Sequence, residues 1–415
     1  DQSFITQQPV EVGAAIVGPA VKGPVEIPTL VTSYSEYVNK FGSTFVSGGQ
    51  VYSFLTGNSA YNYFQNGGNT LLVTRVTTGS FTPATASIEN GQLPTGTLST
   101  SPDALFTSIT TNTTGATDET YTGVTLTGGS GAGGALATVV VTGAVITSIT
   151  VTTAGTGYVV ADSLTIAAAA LGGSSTEAII ELAADDIIGS PASSTSFKLK
   201  TISEGTIMNS DGTLGSDGQL STGTADNVRW EISFADTGSG TFNLLVRQGN
   251  DLTNDKIVLE TYAGVSLDPF QDNYIAKVIG DMKQTLVSDA DGNKYLEVTG
   301  SYANKSNYVF VDEVLTPTPN FFNNTGSAAS TAFEEAIPTV GSGSFGIATG
   351  NLLGTAPALF NEKIDTNTQG LVAADYSDAF SLLTNNDEYQ YNVITAPGLI
   401  HSISDHTGVL NTLIS

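Results

Sequence analysis

The character of the sequence changes at about residue 77 and changes back at about residue 185. Between these positions, residues 78–184 carry little charge and almost no helix signal, and β-branched residues alternate with Gly, Ser and Thr. This pattern is typical of short strands joined by turns. Helix and strand patterns alternate on both sides of the segment. We therefore predict one discontinuous α/β domain, residues 1–77 and 185–335, that is interrupted by a surface-exposed all-β domain at 78–184.

The first part of the α/β domain has clear local signals. An apolar strand is broken by glycine–proline pairs, and a short strand, "IPTLVTS", follows it. Ser33 and Glu36 form a capping box at the start of a helix, and Gly42 is suited to end it. We expect a second helix over residues 51–65, then a tight turn and the strand "TLLVTRV".

After residue 185, "VRWEISFADTGSGTFNLLVRQ" predicts a β-hairpin, and "NYIAKVIGDMKQTLV" has helical periodicity. Residues 316–350 are rich in Gly, Ser, Asn and Pro and resemble a linker. The segment 336–415 then predicts the end of this linker, a helix capped by Asp375, the buried strand "YQYNVITAPGL" and thus the start of a second α/β domain. A chain of 415 residues exceeds the roughly 250–300 residues of a single core. The predicted fold class is α+β and multidomain.

Charge limits the classes of partner. The chain has 39 acidic residues against 13 Lys and Arg, and a formal net charge of −26. Phosphate binding needs clustered basic residues, so we expect no nucleic-acid partner, and anionic membranes are disfavoured for the same reason. No segment approaches the roughly 18 apolar residues of a membrane span, so we expect no membrane insertion. The acidity fits either a solubility device for a self-associating protein or adaptation to salty surroundings.

Two glycine patterns match a dinucleotide fingerprint, Gly129-x-Gly131-x-x-Gly134 and Gly341-x-Gly343-x-x-Gly346. That motif must lie between a strand and a helix, because the helix N-terminus meets the pyrophosphate. The residues that follow here, "ALATVVV" and "IATGNLL", do not predict helices. With 46 glycines in the chain, chance matches are expected. We predict no cofactor and no cofactor-binding residue.

The segment "SDADGNKYLE" places Asp289, Asp291, Asn293 and Glu297 close together. Oxygen ligands at such spacing can hold calcium, but Gly and Glu do not fall at the sixth and twelfth positions of an EF-hand loop. A β-turn between two strands explains the same residues. We prefer the turn and predict no metal-ligating residue.

Catalytic groups are scarce. The only histidines, His401 and His406, are five residues apart and do not share a helix face. Cysteine is absent, which excludes thiol nucleophiles and disulfides, and no Gly-x-Ser-x-Gly elbow occurs. We interpret the histidines as ordinary polar residues, and we predict that the protein is not an enzyme and has no catalytic residue.

Residues 12–76 resemble the N-terminal signature of the contractile tail sheath proteins of bacteriophages. The two stretches that carry the resemblance are "GAAIVGPAVKGPVEIPTLVTSYSEYVNKFG" and "SAYNYFQNGGNTLLVTRV". In that family a strand with a Gly-Pro turn leads to a Pro-x-x-Val strand and to a helix that ends in Phe-Gly. A second helix, an Asn-Gly-Gly turn and a strand closing in Arg-Val follow. The matching positions here are Gly18-Pro19, Pro28, Phe41-Gly42, Phe64 to Gly68 and Arg75-Val76.

Two later stretches resemble the family more weakly. Ser266, Asp268, Pro269, Asn273 and Tyr274 fit a second family signature, and "DYSDAFSLLTNNDEYQYNVITAPGL" resembles the start of its conserved sheath domain. Segment 78–184 resembles the variable outward insertions of many sheath proteins. Family members usually begin with a Pro-Gly-Val-Tyr-like arm and continue into a C-terminal arm. Neither arm is recognisable here, so the resemblance implies a fragment of a longer protein.

The resemblance implies a structural function. Sheath subunits stack as rings in a helical tube around the tail tube, and their contraction drives the tube through the host envelope for genome ejection. The implied partners are other sheath subunits, the tail tube protein, and the baseplate and tail terminator proteins. The implied location is the virion, after assembly in the bacterial host cytoplasm.

Other functions stay open at this point. One alternative is the sheath of a related device, an R-type bacteriocin or a secretion system. Another is an adhesin or receptor-binding β module, and a third is a glycan hydrolase with paired carboxylates. We also expect Arg75, at the end of a buried strand, to pair with a carboxylate of its own domain or of a neighbouring subunit.

Overall fold

A computed structural model of the protein describes residues 10–47, 49–90, 96–131, 134–159, 161–173, 176–188, 195–352, 367–385 and 387–414. The described structure is mixed α/β, consists mostly of strands, and contains several sheets. It divides into two compact units. The larger comprises residues 1–89 and 195–415, and the smaller comprises residues 90–194.

The elements of the larger unit that precede the smaller one are β1 (Val10–Gly18), β2 (Thr29–Val31), α1 (Tyr34–Phe41), β3 (Phe45–Ser47), β4 (Gln50–Tyr52), α2 (Leu55–Gln65), β5 (Leu71–Arg75) and β6 (Pro83–Glu89). The elements of the smaller unit are β7 (Thr97–Leu98), β8 (Ile109–Thr111), β9 (Thr120–Thr125), β10 (Thr127–Gly128), β11 (Leu136–Thr142), β12 (Val145–Thr153), β13 (Ser163–Ile166), β14 (Ala178–Glu181) and β15 (Ile187–Ile188).

The larger unit continues with β16 (Thr195–Glu204), β17 (Val228–Asp236), β18 (Thr241–Gln248), β19 (Val258–Ser266), α3 (Ile275–Ile279), β20 (Lys283–Ser288), β21 (Lys294–Thr299), β22 (Val309–Val314), α4 (Thr331–Ala336), β23 (Gly341–Gly343), β24 (Asn367–Thr368), β25 (Leu371–Val372), α5 (Ser377–Leu383), β26 (Tyr389–Thr395) and α6 (Ser404–Ile414).

A mixed sheet with the strand order β2-β5-β1-β26 organises both ends of the larger unit. Strand β1 runs parallel to β5 and to β26, whereas β2 is antiparallel to β5. Successive side chains of β1 point to opposite faces of the sheet. Ile16 packs with α1 and α2 on one face, and Ala15 and Val17 pack with α5 on the other. Residues 15–17 of β1 are therefore buried on both faces of the sheet, which explains the apolar run "AIV".

The end of the chain departs from the prediction. We expected residues 336–415 to begin a second α/β domain and expected its strand to be buried. Instead, β26 lies beside β1, with Ala14 opposite Val393, and α5 covers the sheet through Phe380. These residues complete the sheet that begins at residue 10. The side chains of β26 range from half-buried to exposed.

A second core in the larger unit lies between two mainly antiparallel sheets. The sheet β22-β16-β6 contributes Phe197, and the sheet β19-β18-β17-β23 contributes Phe242. The two rings stack with centroids 5.5 Å apart. The part of the chain from 195 to 348 is therefore richer in strands than the predicted α/β pattern.

The smaller unit has its own core, with Val139, Ile149 and Ile180 among its buried residues. Its sheets are β10-β13-β14-β8, β12-β11-β9 and β15-β7. Its limits differ from the predicted 78–184, because β6 pairs with β16 of the larger unit. The chain leaves the larger unit after Glu89 and returns at Thr195, and these two residues are partners in that ladder.

The helices follow local signals at some ends only. Ser33 Oγ accepts from the Glu36 amide at 3.1 Å at the start of α1, as predicted. Helix α2 begins at Leu55 rather than at residue 51, because residues 50–52 form strand β4 with β3. Helix α3 ends at Ile279, because Gly280 has a φ of +108°, so the longer predicted helix is wrong.

Candidate functional site

The two glycine motifs lie in β structure. The first follows β10 and leads to β11, and the second begins in β23, which pairs with β17. At Gly343 an added Cβ would lie 2.5 Å from the Trp230 ring. A glycine is therefore needed at this position, because the strand packs closely against the indole. Residues 132 and 133 lie outside the described residues. Neither motif stands between a strand and a helix, which is the context that pyrophosphate binding requires.

The acidic segment around Asp289 forms the turn between β20 and β21. Asp289 Oδ1 accepts from the amides of Asp291 and Asn293 at 2.9 and 2.8 Å, and Asn293 Nδ2 donates to Oδ2 at 2.8 Å. The predicted turn is therefore present. These hydrogen bonds lower the pKa of Asp289, because they favour its charged form. Within the described residues, no group of three or more acidic or histidine side chains is arranged to hold a metal ion.

The two histidines differ in environment. His401 is exposed, but His406 is completely buried at the start of α6, which corrects the expectation of two ordinary polar residues. His406 Nδ1 accepts from the Ile400 amide at 3.0 Å. Nε2 has no hydrogen-bond partner in the described part of the chain. His406 thus orders the turn that leads into α6, and sequence spacing contained no signal for this burial.

Arg75 does not form the expected ion pair with a carboxylate in the described structure. It is fully buried, and its guanidinium donates to main-chain carbonyls instead. Nε donates to Ala20 at 3.2 Å, and Nη1 donates to Gly23 at 2.6 Å and to Glu204 at 2.9 Å. The guanidinium carbon lies 5.1 Å from the centroid of the Phe81 ring, a cation–π contact. Arg75 therefore joins the connection after β1 to the end of β16.

The ionisation of this region reflects burial. Burial lowers the pKa of Arg75 to about 10, and the nearby Glu204 carboxylate opposes the shift. Burial raises the pKa of Glu204 to about 7, against the effect of the Arg75 charge. The arrangement joins segments of the chain, since Nε and Nη1 of Arg75 donate to carbonyl oxygens of its own fold.

A buried charge network on β17 and β18 was not predicted. Arg229 and Arg247 lie opposite each other across the two strands and are nearly inaccessible. Asp251 accepts from Arg247 Nε and Nη2 at 2.7 and 2.8 Å, and Glu231 accepts from Arg247 Nη1 at 2.9 Å. Lys256 Nζ lies 2.7 Å from Glu231. The alternation of charged and apolar residues in "VRWEISF" was the available signal, because Arg229 and Glu231 share one face of a strand.

The free edge of the mixed sheet is the best candidate for an interaction site. Strand β26 is an edge strand, and no described strand pairs with its outer side. Its sequence, "YQYNVIT", has no Pro, Lys or Arg, and Val393 is 60% exposed. Natural proteins usually protect edge strands with such residues, because an open row of amides and carbonyls pairs with other strands. We define Tyr389–Thr395 as the open edge.

The sequence matches no protein-family model and no curated protein. Among the described residues, no helix combines the length and the apolar character needed to cross a bilayer.

Proposed function

We propose that the protein is a structural subunit of the contractile tail sheath of a bacteriophage. In this proposal, subunits polymerise as a helical tube around the tail tube, between baseplate and tail terminator proteins, as part of the virion. Contraction of the tube drives genome ejection. The subunit works without chemistry of its own, because the energy lies in the difference between two packings of its interfaces.

The observation that carries this proposal is the open edge on the sheet to which the sheath-like sequence motifs belong. Strands β1, β2 and β5 and helices α1 and α2 come from residues 10–75, which span nearly all of the resemblance. The open edge extends the same sheet through β26. A strand from a neighbouring subunit could add to it by main-chain hydrogen bonds, and side chains would set the register. This mode of linkage suits a subunit that must stay connected while its other interfaces change.

One further function has a specific observation in its favour. Residues 90–194 form a compact β unit with its own core, which is the organisation of an adhesin or receptor-binding module. A sheath subunit that carries such a unit would combine both roles. The sheath of a related contractile device, an R-type bacteriocin or a secretion system, has the same subunit requirements as a phage sheath.

Electron microscopy of the protein expressed from its complete gene tests the proposal. We expect regular tubes, and antibodies against this chain should label phage tails along their length. The variant Val393→Lys places a charge on the open edge and should prevent tube formation. Val340→Lys is the matched control, because Val340 is 64% exposed and directly precedes β23, a strand of a different sheet. Labelling confined to tail tips or fibres would favour the adhesin, and the absence of tubes would refute the sheath.

A further inference from the structure

A cavity of about 420 Å³ in the larger unit concentrates lysines in a strongly acidic protein. Lys40, Lys283 and Lys305 all line it, together with side-chain amides such as those of Gln284 and Asn304. These residues come from α1, from β20 and from the segment that precedes β22. The tertiary structure therefore brings together three of the 13 basic residues of the chain. We call this cavity the lysine pocket.

Most other basic side chains of the described residues form salt bridges with carboxylates of the same chain. Lys22, Lys198, Lys200, Lys256 and Lys294 each form a salt bridge, as do Arg229 and Arg247. In contrast, no salt bridge joins Lys283 or Lys305 to a carboxylate within the described part of the chain.

The two lysines differ in how much hydrogen bonding they already have. Lys305 Nζ donates to the main-chain carbonyl of Lys277 at 2.8 Å, which leaves its charge uncompensated and two of its protons available. The Lys283 ammonium has no hydrogen bond within the described residues, and Lys283 is exposed. In a chain with 39 acids, two exposed lysines without a salt bridge at one pocket are conspicuous, although the charge of Lys283 also acts on the nearby Glu204 carboxylate.

The other charges at the pocket do not cancel this excess. Lys40 is paired with Glu36 at 2.8 Å, so it contributes little net charge. Among the described residues that line the pocket, Glu204 is the only acidic one. Burial holds its pKa at about 7, so its carboxyl group is partly protonated near neutral pH. The pocket is thus a positive site on a molecule whose net charge is −26.

We propose that the lysine pocket binds carboxylate side chains from an acidic surface segment of a second copy of this chain. Charge complementarity selects this occupant, because a surface with three acids for every base presents carboxylates to any neighbouring copy. The inference rests on the proposed function, in which copies of the chain pack against one another.

The contact would have a definite geometric consequence. A basic pocket on one copy meets an acidic patch on a different surface of the next copy, so the contact is heterologous. Heterologous contacts do not close into a symmetric dimer. They continue from one copy to the next and generate rings or open helices. The lysine pocket would therefore help to set the repeat of the assembly.

Zero-length carbodiimide cross-linking tests the contact directly, because it joins a lysine to a carboxylate only when the two touch. Protein from the complete gene is assembled from equal amounts of ¹⁴N- and ¹⁵N-labelled copies, cross-linked and analysed by mass spectrometry. We expect links between differently labelled copies at Lys283 or Lys305. An assembly with links at other lysines and none at these two would overturn the proposal.

Variants provide an independent readout. Lys283→Met with Lys305→Met should raise the critical concentration for assembly at low salt about tenfold, and this difference should shrink as salt is added. Lys283→Arg with Lys305→Arg should assemble like the wild type. The matched control is Lys198→Met with Lys200→Met, which removes the same charge from lysines paired with Glu313 and Asp312.

The outcomes separate this inference from the proposed function. Tubes that form equally well from the double Met variant would refute the lysine contact and leave the sheath proposal standing. Non-tubular oligomers linked through Lys283 or Lys305 would refute the sheath and support the contact. No assembly under any condition would refute both. Saturable binding of citrate to the unassembled wild type, lost in the double Met variant and without links between copies, would assign the pocket to a small anion and overturn the proposal.

Discussion

Arg75 Nη1 donates a hydrogen bond to the main-chain carbonyl of Glu204 across 2.9 Å. This bond joins the end of β5 to the end of β16, which are 129 positions apart in the sequence. The same guanidinium also binds the carbonyls of Ala20 and Gly23. One side chain therefore connects the mixed sheet to the strand that returns from the smaller unit. The planar guanidinium suits this task, because its donors point in several fixed directions.

Replacing Arg75 should therefore destabilise the larger unit strongly. Arg75→Met removes three hydrogen bonds to main-chain carbonyls in a buried region, and we expect a loss of about 3 kcal/mol in the free energy of unfolding. Arg75→Lys should lose nearly as much, since one ammonium cannot reach the same set of carbonyls. Urea unfolding followed by circular dichroism measures both. Lys40→Met, which breaks the half-exposed ion pair with Glu36, should cost less than about 1 kcal/mol. A value for Arg75→Met as small as that of the control would contradict this role.

Glu204 should make stability fall with rising pH. Its pKa in the folded protein is about 7, above the ordinary 4.5, so the folded state holds the proton more tightly than the unfolded chain. This contribution to stability is complete below pH 4.5 and is lost as the pH rises through about 7. The free energy of unfolding of the wild type, minus that of Glu204→Gln, should therefore decrease by up to about 3 kcal/mol over this range. A difference that stays constant with pH would refute this role of Glu204. The variant Glu313→Gln is the control for the loss of one carboxylate.

Asp251 should be essential to the hairpin of β17 and β18. It lies with its carboxylate between Arg229 and Arg247, and both of its oxygens are fully buried. Asp251→Asn leaves two buried arginines facing each other with less compensation, so we expect a loss of about 3–5 kcal/mol or failure to fold. Asp312→Asn is the matched control, because it breaks only the half-exposed pair with Lys200 and should cost less than about 1 kcal/mol. Thermal unfolding of the two variants measures this difference. Equal melting temperatures would contradict a stabilising role of Asp251 in the charge network.

The smaller unit should be removable without unfolding the larger one. Glu89 and Thr195 are antiparallel partners at the ends of β6 and β16, so the two cut ends lie side by side. Joining them through Asn-Gly should create a two-residue hairpin. We expect the shortened protein to unfold cooperatively in urea, with a smaller m-value because less surface is exposed. Loss of cooperativity would show that the larger unit depends on residues 90–194. Deletion at the limits predicted from the sequence, residues 78–184, also removes β6. We expect that shortened protein not to fold cooperatively.

Local structure was predictable wherever the groups that define it lie a few residues apart. Ser33 caps α1 by binding the amide of Glu36, and Asp289 closes its turn by binding Asp291 and Asn293. The hairpin of β17 and β18 was likewise predictable from residues that are close together in the chain. In each case the side chain and its partner are neighbours in the chain, so the sequence alone contains both halves of the interaction.

The sequence by itself determined the cap of α1, the turn at Asp289 and the hairpin of β17 and β18, because those depend on periodicity and on short-range hydrogen bonds. The tertiary structure alone decided which strands pair, and it placed β26 beside β1 instead of in a second domain. Every strand offers the same amides and carbonyls, so a strand pattern does not name its partner. The burial of Arg75 and His406 was decided in the same way. Their environments are built from segments distant in sequence or from the packing of whole elements, and only the assembled fold contains them.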